Sequence, residues 1–308
     1  MQVKRILFAS LAFTLLTLVS CKKDDVSEPA DAAQMDVHAD DQAQFSAETD
    51  AVADDANKAI ESNPYFSGKL STVQTICDAT IAVDTVSNPR TITITYLGTN
   101  CIGNRTRTGV VILSMPAGMH WASAGAALTI TYQNLKITRV SDNKSIIING
   151  SKTITNVTGG KLFQLPTMGT IIHNIASSNM SVKFNDSTTR NWNIARKRTF
   201  TYNNGIVLTV TGTHSAGGYT NICEWGTNRF GQPFVTAITQ PMVVRQDCNF
   251  RLTHGQLTHH TGQVHAVLTY GLDASGNPTG CPGTGHYYFK IVVTGPNGFT
   301  HTAIHPYH

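Results

Sequence analysis

The sequence predicts an all-β protein, an antiparallel sandwich or a strongly curved barrel-like sheet, with a short helix at its N-terminal end. Three observations carry that prediction. Apolar residues alternate with threonine over much of the chain, turn dipeptides recur between these runs, and few segments beyond residue 62 have helical periodicity. At 308 residues and 41% hydrophobic content the chain is long enough for a sizeable core. Only residues 6–19 form a long apolar run, which excludes a multispanning helical membrane protein.

That run opens the chain. Lys4 and Arg5 precede Ile6 to Val19, long enough for the core of an export signal and short for a bilayer-spanning helix of roughly 20 residues. It ends in Leu18-Val19-Ser20-Cys21, which resembles a bacterial lipobox. The resemblance implies a signal peptide over 1–20, acylation of the Cys21 thiol and cleavage before it. Several acyl chains then anchor the protein to a membrane where one chain would hold only marginally. Cys21-Lys22-Lys23-Asp24-Asp25 is also similar to the charged tetrads of lipoproteins exported to the surface of Bacteroidetes, which implies an outer-membrane location.

Residues 21–39 are rich in Asp, Ala, Ser and Gln and read as an acidic tether. Over 40–62, Phe45, Val52, Ala56 and Ile60 share one face of a short amphipathic helix. Residues 22–62 hold 12 acids against three lysines, a net of −9. Residues 63–308, the expected basic all-β domain, hold seven acids against 18 Lys and Arg, a net of +11. So few carboxylates weaken the case for a paired-carboxylate hydrolase or a calcium cage.

Within that domain Ile92, Ile94 and Tyr96 alternate with threonines, and Leu128, Ile130 and Tyr132 do the same before Leu135 and Ile137. Asn149-Gly150, Asn203-Asn204-Gly205 and Pro296-Asn297-Gly298 supply turn chemistry between strands. Two stretches, about 77–115 and 248–294, share one order: cysteine, strand, Thr-Tyr-(Leu)-Gly, loop, cysteine, Gly, strand. Export places these thiols where disulfides form. The repeat selects Cys77–Cys101 and Cys248–Cys281 from the 15 ways of choosing two bridges among the five cysteines after Cys21. Cys223 is left over and is expected to react with alkylating agents.

The segment from Thr211-Gly212, through Gly226-Thr227-Asn228-Arg229-Phe230-Gly231 and Ile238-Thr239-Gln240-Pro241, to Cys248 resembles a family of Bacteroidetes lipoproteins of uncharacterised function. In this chain the insert Leu272 to Gly280 separates Tyr270-Gly271 from Cys281, a longer spacing than the family's Tyr-Gly-x-Gly-x-Cys. The resemblance implies an exported all-β lipoprotein and carries over no catalytic residue.

The chain has no G-x-S-x-G, H-E-x-x-H or Walker motif, and an enzyme is not expected. Two concentrations of side chains remain. Arg190, Trp192, Arg196 and Arg198 have one parity along a predicted strand, where guanidinium beside an aromatic face suits an anionic polysaccharide or other surface ligand. The same pattern fits an edge strand with a bulge after Ala195, kept from pairing by charge. Histidine is the other. With Thr261-Gly262 as the turn, Thr258 lies opposite His265, and His254, His260 and His265 share a face, with His286 or the 301–308 tail as a further metal ligand. Plain polar surface is the alternative for these residues.

The first expectation for function is therefore a lipid-anchored, non-catalytic binding module for an anionic glycan, envelope or host-surface ligand, without a resident cofactor. The runner-up is a metal- or haem-binding lipoprotein, and a hydrolase is third. Nucleic acid is not an expected partner.

Overall fold

Among the described residues, fifteen strands form one antiparallel sheet that wraps an N-terminal helix. The computed structural model describes residues 30–68, 75–283 and 285–307; the expected signal, Cys21 and the first part of the tether lie outside them. The helices are α1 (Ala30–Glu61), α2 (Pro64–Ser67) and α3 (Leu165–Met168). The strands are β1 (Ala79–Asp84), β2 (Arg90–Thr99), β3 (Arg105–Met115), β4 (Ala126–Arg139), β5 (Ser145–Asn156), β6 (Thr170–Phe184) and β7 (Thr189–Tyr202). They continue as β8 (Ile206–Gly212), β9 (His214–Ala216), β10 (Tyr219–Thr227), β11 (Pro233–Arg245), β12 (Arg251–Thr261), β13 (Val264–Leu272), β14 (Tyr287–Thr294) and β15 (Thr300–Tyr307). Strands β1 to β7 form a meander, and β10 to β15 form a second. Between them β7 forks, pairing through Trp192–Ile194 with β10 and through Arg196–Tyr202 with β8, while β8 also pairs with β11.

Alternation decides which side of each strand turns inward. In β2, Ile92, Ile94 and Tyr96 are buried, while Thr91, Thr93 and Thr95 face out. In β4 the buried set switches from Leu128, Ile130 and Tyr132 to Leu135 and Ile137. A bulge in the β4–β5 register between Tyr132 and Leu135, with Asn134 at φ +49°, absorbs the change of parity.

The inner face is closed by α1. Phe45, Val52, Ala56 and Ile60 are buried against residues of β2 to β7 and against Phe234, as their spacing predicts. The helix differs from expectation in starting at Ala30, so residues 30–39 are its first turns and not tether. The reason is packing: Ala32, Met35 and Ala39 find a second apolar cluster made by Ile238, Leu257, Leu268 and Val293 of β11 to β14.

The helix is also buried well beyond one face. Asp41, Glu48 and Asp55, seven residues apart, form a second stripe that meets Arg229, Arg105 and Arg107. Consecutive residues point about 100° apart on a helix, yet Glu48 reaches Arg105 of β3, the Thr49 carbonyl accepts from Lys152 of β5, and Asp50 reaches Arg198 of β7. Only a sheet curled around the helix axis provides partners in all these directions.

The cysteine repeat is a topological one. Cys77–Cys101 flank the β1–β2 hairpin and Cys248–Cys281 flank the β12–β13 hairpin, with Cα separations of 5.4 and 5.2 Å. In each unit a Tyr near the hairpin's end, Tyr96 or Tyr270, is buried, and β3 or β14 adds the third strand. Cys223 is unpaired but buried, and burial pushes its thiol up to about 11, so alkylation of the folded protein is not expected after all.

Candidate functional site

Side chains predicted to bind ligand on β7 do share a face, but that face is the inner one. Trp192 is fully buried, donates from Nε1 to Glu224 Oε2 at 2.9 Å, and packs its ring on Phe45 and Phe234. Arg196 pairs with Glu224 and donates to Ser46 Oγ at 2.7 Å; Arg198 pairs with Asp50 of α1. Arg190 donates to the carbonyls of Asn228 and Arg229. The strip is thus occupied by the chain's own groups and is not open to a polysaccharide. It is not an edge either, since β7 is paired along both sides. The physical reason is charge: the basic inner face is complementary to the acid-rich helix that precedes it.

The histidine set also divides. The β12–β13 turn is centred on Gly262–Gln263, one register step from expectation, and His260 stands directly opposite His265 with ring centroids 5.9 Å apart. Both lie on the outer face, where burial and then the neighbouring His265 hold His260 below its ordinary value. His254, opposite Val243, lies six residues along the strand from His260, roughly 20 Å at strand rise, so the two share no metal. His286 precedes β14, whose far end, Thr294, is the residue paired with His265. The four therefore do not converge on one ion. His308 lies outside the described residues. Among those residues the one cluster of three His, Cys, Asp or Glu ligand atoms is Asp247, Cys248 and Cys281, and its two sulfurs are the disulfide.

The outer face holds a site that the sequence reading did not assemble. A cleft of about 300 Å³ is lined by Thr153 and Thr155 of β5, Asn174, Ile175 and Ala176 of β6, and Thr213. Thr213 reaches it because β8 passes very close to β10: a Cβ on Gly212 would lie 1.9 Å from the Asn221 carbonyl oxygen. Lys197 stands beside the cleft, paired with Asn174 on one side and with Thr211 on the other.

Aromatic rings begin one residue after Thr213. His214 stacks on Trp225 at 4.1 Å, and half-exposed Tyr219 lies 4.4 Å from His260. Register places Trp225, Val235, His260 and His265 on adjacent strands in one outer row. The cleft offers hydroxyl and amide hydrogen-bonding groups, the rings offer flat apolar faces, and Lys197 offers one cation. The signal was present as the Thr153-x-Thr155 alternation, but nothing local in the sequence shows that a residue sixty positions away overhangs it.

The fold is a large antiparallel sheet of a kind suited to a non-catalytic binding module. Comparison with known protein families, curated proteins and solved structures finds no match for this chain.

Proposed function

We propose that this is a lipoprotein of the outer membrane, anchored through Cys21 and akin to the Bacteroidetes family it resembles, whose outer sheet face binds a glycan bearing acidic groups. The observation that carries the reading is the Thr- and Asn-lined cleft with Lys197 at its rim and the ring patch of His214, Trp225 and Tyr219 beside it. Hydroxyl and amide groups pair with sugar hydroxyls, an aromatic face covers a sugar's apolar side, and the lysine meets a uronate or sulfate.

The attraction is local. Removing Lys4 and Arg5 with the signal leaves 21 Lys and Arg against 19 Asp and Glu, a net of +2, because the helix acids balance the basic sheet. Binding should therefore lose little between low and physiological salt. The test is an array of neutral and acidic polysaccharides probed with the full chain. Trp225→Ala should weaken the strongest signal up to about tenfold, the scale of one aromatic contact, and Lys197→Gln should lower acidic glycans selectively. Equal binding by both variants and the wild type would remove the outer face as the site.

A further inference from the structure

Among the described residues the continuous path of strands through the sheet ends in β1 and β15, each paired on one side only. A free edge presents unpaired backbone donors and acceptors, and folded proteins block it with lysine, proline or a bulge. β15 contains Pro306, which has no N–H to donate. β1, Ala79–Asp84, contains none of these devices and pairs with β2 in unbroken register. The Cys77–Cys101 bridge staples the start of this hairpin and holds the edge in place. Ile81 and Val83 stand opposite Ile94 and Ile92, which are fully buried on the inner face, yet Ile81 is 39% and Val83 43% exposed. The apolar inner face therefore runs on to this edge and is uncovered there.

We propose that a second copy of this chain docks on that edge, β1 pairing antiparallel with the partner's β1 about a two-fold axis at Ala82. Register selects this arrangement. Directly opposed residues share a face, so a two-fold pairing sets each residue against one of the same parity. With Ala82 opposite itself, Ile81 meets the partner's Val83 and Thr80 meets the partner's Asp84. Four aliphatic side chains then join on the inner side, and no like charges oppose one another. With Ile81 opposite itself, Asp84 would meet the partner's Asp78 instead, two carboxylates side by side. Pairing β1 with the partner's β15 would string copies into an open chain, and Pro306 works against it. One short strand from each copy makes a small interface, so the dimer is weak and reversible. The edge lies apart from the cleft on β5 and β6 and does not depend on the glycan reading.

Sedimentation velocity of the full chain should show a monomer–dimer equilibrium that shifts with concentration. Val83→Lys, at an exposed position that leaves the melting transition unchanged, should weaken the dimer about tenfold, since the change enters the interface twice. Ala82→Cys places two thiols opposite each other at a Cα separation of about 4.5–5.5 Å, within disulfide range. Mild oxidation should link them, and peptide mapping should find residue 82 joined to residue 82. Thr93→Cys, beside Ala82 on β2 but one strand further from the axis, should not link. The proposal is overturned if Ala82→Cys links no faster than Thr93→Cys, or if Val83→Lys sediments as the wild type does at every concentration. Slow exchange of every amide from Thr80 to Asp84 in a strictly monomeric protein would also overturn it, because the chain's own residues would then cover the edge.

Discussion

Arg107 of β3 joins the helix to the start of the sheet: its Nη1 donates to Asp55 at 2.8 Å while Nε and Nη2 hold both oxygens of Asp78 at 2.7 Å. Tyr96 donates to the same Asp55 carboxylate at 3.0 Å and lies beneath the guanidinium. All four side chains are buried. Asp55→Ala should destabilise the protein by about 3 kcal/mol in urea unfolding, since it strands one face of a buried cation and a phenol. Asp55→Asn, which retains an acceptor, should cost less.

The two disulfides should be separable in their effects. Replacing Cys77 and Cys101 by serine frees a loop of 24 residues, and replacing Cys248 and Cys281 frees one of 33. Each should lower stability by roughly 3 kcal/mol. Alkylation of native protein should leave Cys223 unlabelled, with labelling appearing only on denaturation; mass spectrometry of the labelled peptides checks both statements.

Stability should fall as the solution is acidified from pH 7.5 to 5. His38 and His173 are buried and held at about 4, below the ordinary 6.5. Between those values the unfolded chain binds more protons, so the stabilisation is complete above about 6.5 and is lost as pH falls toward 4. At pH 5 each contributes a loss of roughly 2 kcal/mol. Burial raises the Asp41 and Glu48 carboxyls, which act in the opposite sense nearer their own range. Burial holds His259 below its ordinary value as well, so urea midpoints at the two pH values should differ clearly and His173→Leu should remove about a third of the difference.

The proposed membrane attachment depends on one residue, Cys21. Cys21→Ser should block processing and move the protein from the membrane fraction to the soluble one; unchanged cleavage and retention would remove the lipoprotein reading.

Much of the architecture was legible because alternation is local. Ile92, Ile94 and Tyr96, and the Cys-hairpin-Cys repeat, placed strands and bridges without knowledge of their neighbours. The parity of Trp192, Arg196 and Arg198 was legible too, but parity does not say which face is inward. A run containing three arginines reads as solvent-facing until Asp50, Ser46 and Glu224 are known to lie against it. The seven-residue spacing of Asp41, Glu48 and Asp55 was the available hint that the helix has buried charged faces. The histidines went the same way: a one-step register shift paired His260 with His265, and His259, with the other parity, met a residue 221 positions earlier in the chain.

Amide hydrogen exchange along α1 tests most directly the claim that the acidic helix is the core of the sheet and that ligands are left the outer face. If α1 is core, its amides from Met35 to Ile60 exchange as slowly as those of β4 and β5, through global unfolding. Exchange of α1 within minutes while β4 and β5 stay protected would contradict the account, because the helix would then leave the inner face and open the Arg196 and Arg198 strip to an anionic ligand.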